Sequence, residues 1–362
     1  MYSQKPDINS IKIGDETSTI DTIVNGYKTY QVVRAALETG LFDWLEAHWA
    51  TSSEELEKAL SINGSFTRSF LQTLVDLGYI REKDDRFANT DLAATLLTSR
   101  SPAYQGDWIL NAANEQGPWN SLKGMLVSVA KNTGCSGGES PQSIKALAER
   151  SLRGEVQGVT RIIAAWEGFG SAKKLLDIGG GHGLYAIAAC QQNPELEAVV
   201  FDKPLVVDQT REFVRCYGME DRITVISGDI MHNDPGSGYD IVIISHLLYK
   251  FRTALPQIFG KVASSLKPRG IFVSNHWFCG PVCGSGSSGL LDLDRSLQSY
   301  GHPLCHPEDF AGAMFMKGLV VTKRTTIPGN LGISHVHVAE KVPDGCSPLP
   351  GQKESCGCLS CH

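Results

Sequence analysis

The feature that most constrains this chain is the run Leu175-Leu176-Asp177-Ile178-Gly179-Gly180-Gly181-His182-Gly183, followed at once by Leu184-Tyr185-Ala186-Ile187-Ala188-Ala189. An apolar strand carrying an acid runs into a glycine cluster and then into an apolar helical segment. Glycine lets such a turn take positive φ and lets a ligand lie against bare backbone. The free N–H groups of the helix's first turn face that ligand. A strand, tight turn and helix start of this kind mark the nucleotide-binding end of an α/β sheet.

The spacing narrows the ligand. A dinucleotide fingerprint reads G-x-G-x-x-G, with its acid at the end of the following strand. Here Gly179, Gly181 and Gly183 read G-x-G-x-G, and Asp177 precedes them. Asp202 ends the apolar run Ala198-Val199-Val200-Phe201, where it can take two ribose hydroxyls. Asp229 follows Ile223-Thr224-Val225-Ile226-Ser227-Gly228, where adenine would lie, with Ile230 next to it. Acids at three successive strand ends, in this order, favour S-adenosylmethionine (SAM) over NAD. The expected cofactor set is Asp177, Gly179, Gly181, Gly183, Asp202, Asp229 and Ile230, without a metal.

A length of 362 residues suggests two domains or one large one. A hydrophobic content of 42% with 20% charged residues is that of a soluble globular protein. The net charge of −6 argues against nucleic acid or an anionic membrane as main partner. The start, Met1-Tyr2-Ser3-Gln4-Lys5-Pro6-Asp7, has no apolar core of a secretory signal. No apolar run approaches the roughly 20 residues that span a bilayer. The expected compartment is therefore the cytoplasm, with reduced thiols.

In chain order, residues 1–20 read as a flexible arm and residues 21–100 as a helical unit. Thr51-Ser52-Ser53-Glu54-Glu55-Leu56 carries a capping box. Ser65 to Leu77 reads as a helix with Phe66, Phe70, Leu71, Leu74 and Leu77 inward, and Gly78 to Thr90 as a hairpin. Together these make a helix-turn-helix with a wing. Its second helix holds Arg68 but little other positive charge, and phosphate contacts need clustered Lys and Arg. A dimerisation module is favoured over a DNA-binding one. Residues 101–170 read as linker and pocket helices, with a polar loop from Gly134 to Pro141. Strands are expected at 174–178, 198–202, 223–227, 240–245, 270–275, 318–323 and 335–339, with helices such as 205–217 and 253–266 between them. That alternation predicts a parallel, doubly wound α/β sheet over 171–340. Residues 341–362 read as a Cys-rich flexible tail. Within it, Cys358 to His362 matches the C-x-x-C-H of c-type haem attachment. Without an export signal, soft-metal binding, a redox dithiol or a tail without a catalytic role are the readings that remain.

Residues 20–340 resemble the small-molecule O-methyltransferase family that includes acetylserotonin and caffeate O-methyltransferases. The resemblance rests on the winged-helix half, Leu176-Asp177-Ile178-Gly179-Gly180-Gly181-His182-Gly183, Phe201-Asp202-Lys203-Pro204, Ser227-Gly228-Asp229-Ile230 and Leu266-Lys267-Pro268-Arg269-Gly270. It implies a Rossmann-like class I methyltransferase domain, a homodimer through the N-terminal winged-helix domain, and a small-molecule acceptor held between the domains. It also implies a His after the fourth strand of that domain as general base. Aligned on the Leu and final aromatic of Ser245-His246-Leu247-Leu248-Tyr249-Lys250-Phe251, Tyr249 stands where that His is expected.

Tyrosine, with a pKa near 10, is a poor base near neutral pH but a good hydrogen-bond donor. The catalytic candidates are thus Tyr249 to orient the acceptor, with His246 or His276 as base. O-, S- and C-methylation all stay open, as does a SAM-binding regulator without turnover. His246, His276, Cys279, Cys283, His302, Cys305 and His306 also form a set of soft ligands, but no second tight pair completes a zinc signature.

Overall fold

The computed structural model describes residues 17–127, 140–279, 289–301, 303–304, 306–329 and 331–343. It forms two compact units, residues 1–110 and 111–362. In the first unit, α1 (Thr17–Glu38) is followed by α2 (Leu41–Ala47), with Gly40 between them at φ 72°. Then come β1 (Thr51–Ser52), α3 (Ser53–Leu60), α4 (Gly64–Asp76), β2 (Ile80–Lys83), β3 (Arg86–Asn89) and α5 (Asp91–Leu96). The capping box forms: Ser52 N–H donates to Glu55 Oε2 at 2.8 Å, and Glu55 N–H to Ser52 Oγ at 3.3 Å. The β2–β3 hairpin turns through Asp84 and Asp85, both at positive φ, and β1 completes a three-stranded sheet in the order β1-β3-β2. The result is a helix-turn-helix with a wing.

One inward position differs from the sequence reading. Helix α4 turns Thr67, Leu71 and Leu74 inward, Phe70 and Leu77 are half-buried, and Phe66 is 65% exposed. The 67-71-74 spacing fixes the buried face, and Phe66 lies one residue, about 100°, off it.

In the second unit, α6 (Gly106–Asn111) ends at its boundary, followed by α7 (Leu122–Val127), α8 (Pro141–Ser151) and α9 (Glu155–Ala164). The sheet then begins: β4 (Lys174–Ile178), α10 (Leu184–Gln192), β5 (Glu197–Asp202), α11 (Pro204–Cys216), β6 (Ile223–Ser227), β7 (Tyr239–Ser245), α12 (Leu255–Ser265) and β8 (Leu266–His276). Helices α13 (Gly289–Gln298) and α14 (Pro307–Phe315) and strands β9 (Leu319–Gly329) and β10 (Gly332–Lys341) complete it. The seven strands lie in the order β6-β5-β4-β7-β8-β10-β9.

The expected all-parallel sheet is corrected at one edge. Strands β6 to β8 pair in parallel, but β10 runs antiparallel to both β8 and β9. Only residues 330 and 331 separate β9 from β10. So short a link makes a hairpin, because a parallel neighbour needs a crossover of about a dozen residues.

Both faces of the sheet are covered. Leu175 packs with Val156, Val159 and Ile163 of α9 and Leu184 and Ile187 of α10. Leu176 and Ile178 pack on the other face with Ile258, Phe259 and Val262 of α12. Two-sided burial is why these strands read as near-continuous apolar runs. No described helix is long and apolar enough to cross a membrane.

Candidate active site

The β4–α10 turn is tied to its neighbours through the backbone. Gly179 N–H donates to Phe201 O at 2.7 Å, and Gly183 N–H to Gly180 O at 2.8 Å. Gly179, Gly181 and Gly183 all have positive φ. At Gly179 a Cβ would lie 2.6 Å from a methyl carbon of Leu247, so the turn and the loop after β7 touch. At Gly181 a Cβ would meet nothing within 4 Å, so that face of the turn is open. Asp202, at the end of β5, accepts Gly181 N–H on Oδ2 at 2.8 Å and Lys203 N–H on Oδ1 at 2.7 Å. Asp229, beyond β6, accepts Met231 N–H at 2.8 Å. Gly179, Gly181, Asp202, Asp229 and Ile230 line one cleft of about 130 Å³, together with Ile178, Leu247 and Lys250.

Two residues of the expected cofactor set are not on the cleft wall. Gly183 is the left-handed N-cap of α10. Asp177 lies beneath the turn, 1% exposed, and neither carboxyl oxygen has a hydrogen-bond partner. Burial first, and then the charge of Asp202, push its pKa up to about 8. An open glycine turn with the carboxylates of Asp202 and Asp229 at the neighbouring strand ends fits a ligand with ribose hydroxyls and an adenine. SAM is such a ligand.

Beside this cleft, at the ends of β7 and β8, the structure assembles a polar network that sequence reading missed. Its centre is Glu155, the first residue of α9. Glu155 Oε1 accepts from Tyr185 Oη–H of α10 at 2.6 Å, from Asn275 Nδ2–H of β8 at 2.9 Å, and from His246 Nε2–H at 3.0 Å. Asn275 also donates to Ser245 Oγ at 3.0 Å, and Ser245 Oγ–H donates to Tyr185 Oη at 3.1 Å. Burial opposes the Glu155 charge, but His246, the bonds from His246 and Tyr185, and Arg150 outweigh it, holding the carboxyl well below its usual range. Nothing in Gly154-Glu155-Val156 marks this role, since an acid at the start of a helix is ordinary macrodipole pairing.

The three catalytic candidates separate. His246 has φ 52°, an uncommon backbone for a residue with a side chain, and its N–H is tied to Asn275 O at 2.9 Å. Its side chain keeps 16% exposure, that of Glu155 13%, and its ring lies 4.3 Å from the Trp277 ring. Tyr249 does not face open space as an acceptor-orienting group would. It is 1% exposed, Trp277 N–H donates to its hydroxyl at 2.6 Å, and the hydroxyl lies 2.8 Å from His246 Nδ1. Burial raises its pKa well above 10. His276 is not placed as a base either. It is fully buried, Leu248 N–H donates to its Nε2 at 3.2 Å, and its Nδ1 pairs with Ser274 Oγ at 2.9 Å. Burial, and then His246 and His337, depress its pKa well below 6.5. His182 of the glycine turn is likewise structural, its Nδ1 accepting Leu184 N–H at the start of α10.

Of the soft-ligand set, Cys279 is half-buried and His306 is exposed. Cys283, His302, Cys305 and the tail cysteines Cys346, Cys356, Cys358 and Cys361 lie outside the described residues, as does Cys135. Among the described residues no group of three or more His, Cys, Asp or Glu could hold a metal ion.

Residues 22–99 match the O-methyltransferase dimerisation domain and residues 104–276 the O-methyltransferase domain, together well over half of the chain. The chain belongs to this O-methyltransferase family. It is a SAM-dependent methyltransferase. The methyltransferase is 29% identical over 243 residues to a 3-hydroxy-5-methyl-1-naphthoate 3-O-methyltransferase of Streptomyces sahachiroi, covering 64% of this chain and 68% of that one. It is 27% identical over 240 residues to the N,N-dimethyltransferase OxyT of Streptomyces rimosus, covering 62% and 68%. Human N-acetylserotonin methyltransferase, solved in complex with SAM, shares the methyltransferase's fold with a TM-score of 0.70 at 19% identity, covering 91% of this chain and 99% of that one. The family thus methylates small molecules on oxygen and on nitrogen.

Proposed function

We propose that this methyltransferase transfers a methyl group from SAM to a small-molecule acceptor by direct displacement, working as a homodimer. Bound in the cleft, SAM supplies an electrophilic methyl group on a sulfonium sulfur. Asp202 and Asp229 would hold the nucleoside end, Gly179 and Gly181 would leave bare backbone beneath it, and Asp177 would lie beneath the turn. A displacement of this kind is accelerated mainly by holding the two reactants in line. Where the acceptor carries a proton, His246 is the candidate to take it. The observation that carries this reading is the joint placement of Gly179, Gly181, Asp202 and Asp229 on one cleft.

The homodimer reading draws on the dimerisation domain and on α1, which exposes Ile20, Ile23, Val24 and Tyr27 along its length. The same reading puts the enzyme in a reducing cytoplasm, where the thiols of Cys190 and Cys216 would stay reduced.

The test is calorimetric titration of the full chain with SAM, followed by S-adenosylhomocysteine release with a panel of phenols, amines, thiols and thioethers. Binding, with turnover of at least one acceptor, is expected. Failure to bind SAM would overturn the reading.

A further inference from the structure

A second pocket lies away from the cofactor cleft. It opens along the seam between α9 and α10 and measures about 350 Å³, against about 130 Å³ for the cleft at the glycine turn. Small-molecule sites usually fall between roughly 300 and 1,000 Å³. No residue lines both hollows.

The sequence explains the space. Val156 and Thr160 stand one turn apart on α9, and Leu184, Ala188 and Gln191 stand one turn apart on α10, so the two rows face each other across the seam. Val156, Leu184 and Ile187 are large, buried and part of the core. Thr160 and Ala188 are too short to close the seam. The Thr160 hydroxyl donates to Val156 O at 2.7 Å, so its polar end is spent within its own helix. The pocket therefore has an apolar floor.

Its mouth is polar and of one sign. Arg161 stands on the exposed side of α9, Gln191 and Gln192 end α10, and Tyr217 follows α11. No lining residue is an acid. Burial, and then Cys216, raise the Tyr217 pKa above its usual 10, so its hydroxyl keeps a hydrogen to donate. On the neighbouring α11, Arg211 is paired with Asp208 and Arg215 with Glu212. Arg161 has no such partner among the described residues, and neither the Gln191 and Gln192 amides nor the Tyr217 hydroxyl has a hydrogen bond there. An unbalanced guanidinium at the mouth of an apolar pocket is complementary to an anion, and its fork matches a carboxylate with two parallel hydrogen bonds.

We propose that the α9–α10 pocket is a second small-molecule site, whose ligand is an aromatic ring system carrying one carboxylate. The rings lie on Leu152, Val156 and Ala188, and Arg161 takes the carboxylate, with the glutamine amides and the Tyr217 hydroxyl as further donors. The site does not depend on turnover, so a chain that failed to bind SAM would leave this inference standing.

The test is calorimetric titration of the full chain with 2-naphthoate, with 2-naphthamide as the uncharged control and acetate as the ringless one. 2-Naphthoate is expected to bind with a Kd of about 1 mM or tighter. Both controls are expected to bind about tenfold more weakly or worse. Arg161→Gln is expected to weaken 2-naphthoate about tenfold while leaving 2-naphthamide and SAM affinity unchanged. Ala188→Leu, which fills the seam, is expected to abolish binding of both naphthalenes. Thermal melts check that the variants are folded, and should Ala188→Leu not fold, Arg161→Gln decides, because its position is exposed.

No binding of 2-naphthoate, or equal binding of the acid and the amide, would overturn the inference. Binding that Arg161→Gln leaves unchanged would place the ligand elsewhere, the acceptor side included, and would overturn it too. Sedimentation of Arg161→Glu tests the other occupant: a shift to a smaller species would mean that a second copy of the chain covers the pocket, against the inference.

Discussion

The cleft at the glycine turn, the cofactor side of the proposed reading, and the polar network around Glu155 and the proposed base His246, its acceptor side, are built by different means. On the cofactor side, the wall is made of a turn, two carboxylates and an apolar residue, each within a few positions of a strand end. Its geometry follows from local rules: glycine for positive φ, an acid at the carboxyl end of a parallel strand, and a helix start facing the ligand. On the acceptor side, one carboxylate oxygen gathers donors from α10, β8 and the loop after β7, while its own residue begins α9. No local rule produces that. The difference teaches that cofactor chemistry is written in short motifs, whereas acceptor chemistry is written in the packing of remote elements.

The largest effect expected from this contrast concerns Asp177. Its carboxyl ionises near 3.8 ordinarily and at about 8 in the fold. A raised carboxyl contributes stability that is complete below about pH 3.8 and is lost as pH rises through about 8. Relative to wild type, Asp177→Asn should therefore gain roughly 3 kcal/mol of unfolding free energy between pH 5 and pH 8, read by urea melts at several pH values. A pH-independent difference would mean that Asp177 is paired and that the cofactor side, too, is a closed network. Next comes Asp202→Ala, which removes the brace on Gly181 N–H and, on the proposed reading, the acceptor for the ribose hydroxyls. SAM affinity should fall about 100-fold, or roughly 2.7 kcal/mol, in calorimetry.

On the acceptor side, His276→Phe strands Leu248 N–H and Ser274 Oγ and should cost about 2 kcal/mol of stability. SAM affinity should stay unchanged, and a large loss of affinity would erase the boundary drawn between the two sides. The smallest effect is Gly181→Ala. The added methyl meets open space, so only the positive φ is penalised, at about 1 kcal/mol in a thermal melt.

Much of the fold was legible because two-sided burial gives continuous apolar runs, and β4, β6 and the capped helix α3 stand where those runs and the capping residues put them. The antiparallel β9–β10 edge was not, because an apolar run carries no sign of strand direction; only the shortness of the link between the two strands does. Phe66 was assigned inward because it is large and apolar, yet helical phase and not residue type decides the face. In the site, Asp202 and Asp229 were legible as acids at strand ends. Tyr249 and His276 were read as reactive because of their position in the chain, and both proved to be buried supports whose polar atoms are already engaged. Glu155 was illegible, since its meaning arises only when Tyr185, His246 and Asn275 arrive around it.

The three hydrogen bonds on Glu155 Oε1 also bear on how this protein can change over generations. A lineage that exchanged the acid alone would leave a tyrosine, an asparagine and a histidine from three separate elements without their common acceptor. A lineage that exchanged any one of those three would still keep two. The site is therefore freer to drift at its periphery than at its hub, so descendants with new acceptors should vary at Tyr185 and Asn275 before they vary at Glu155.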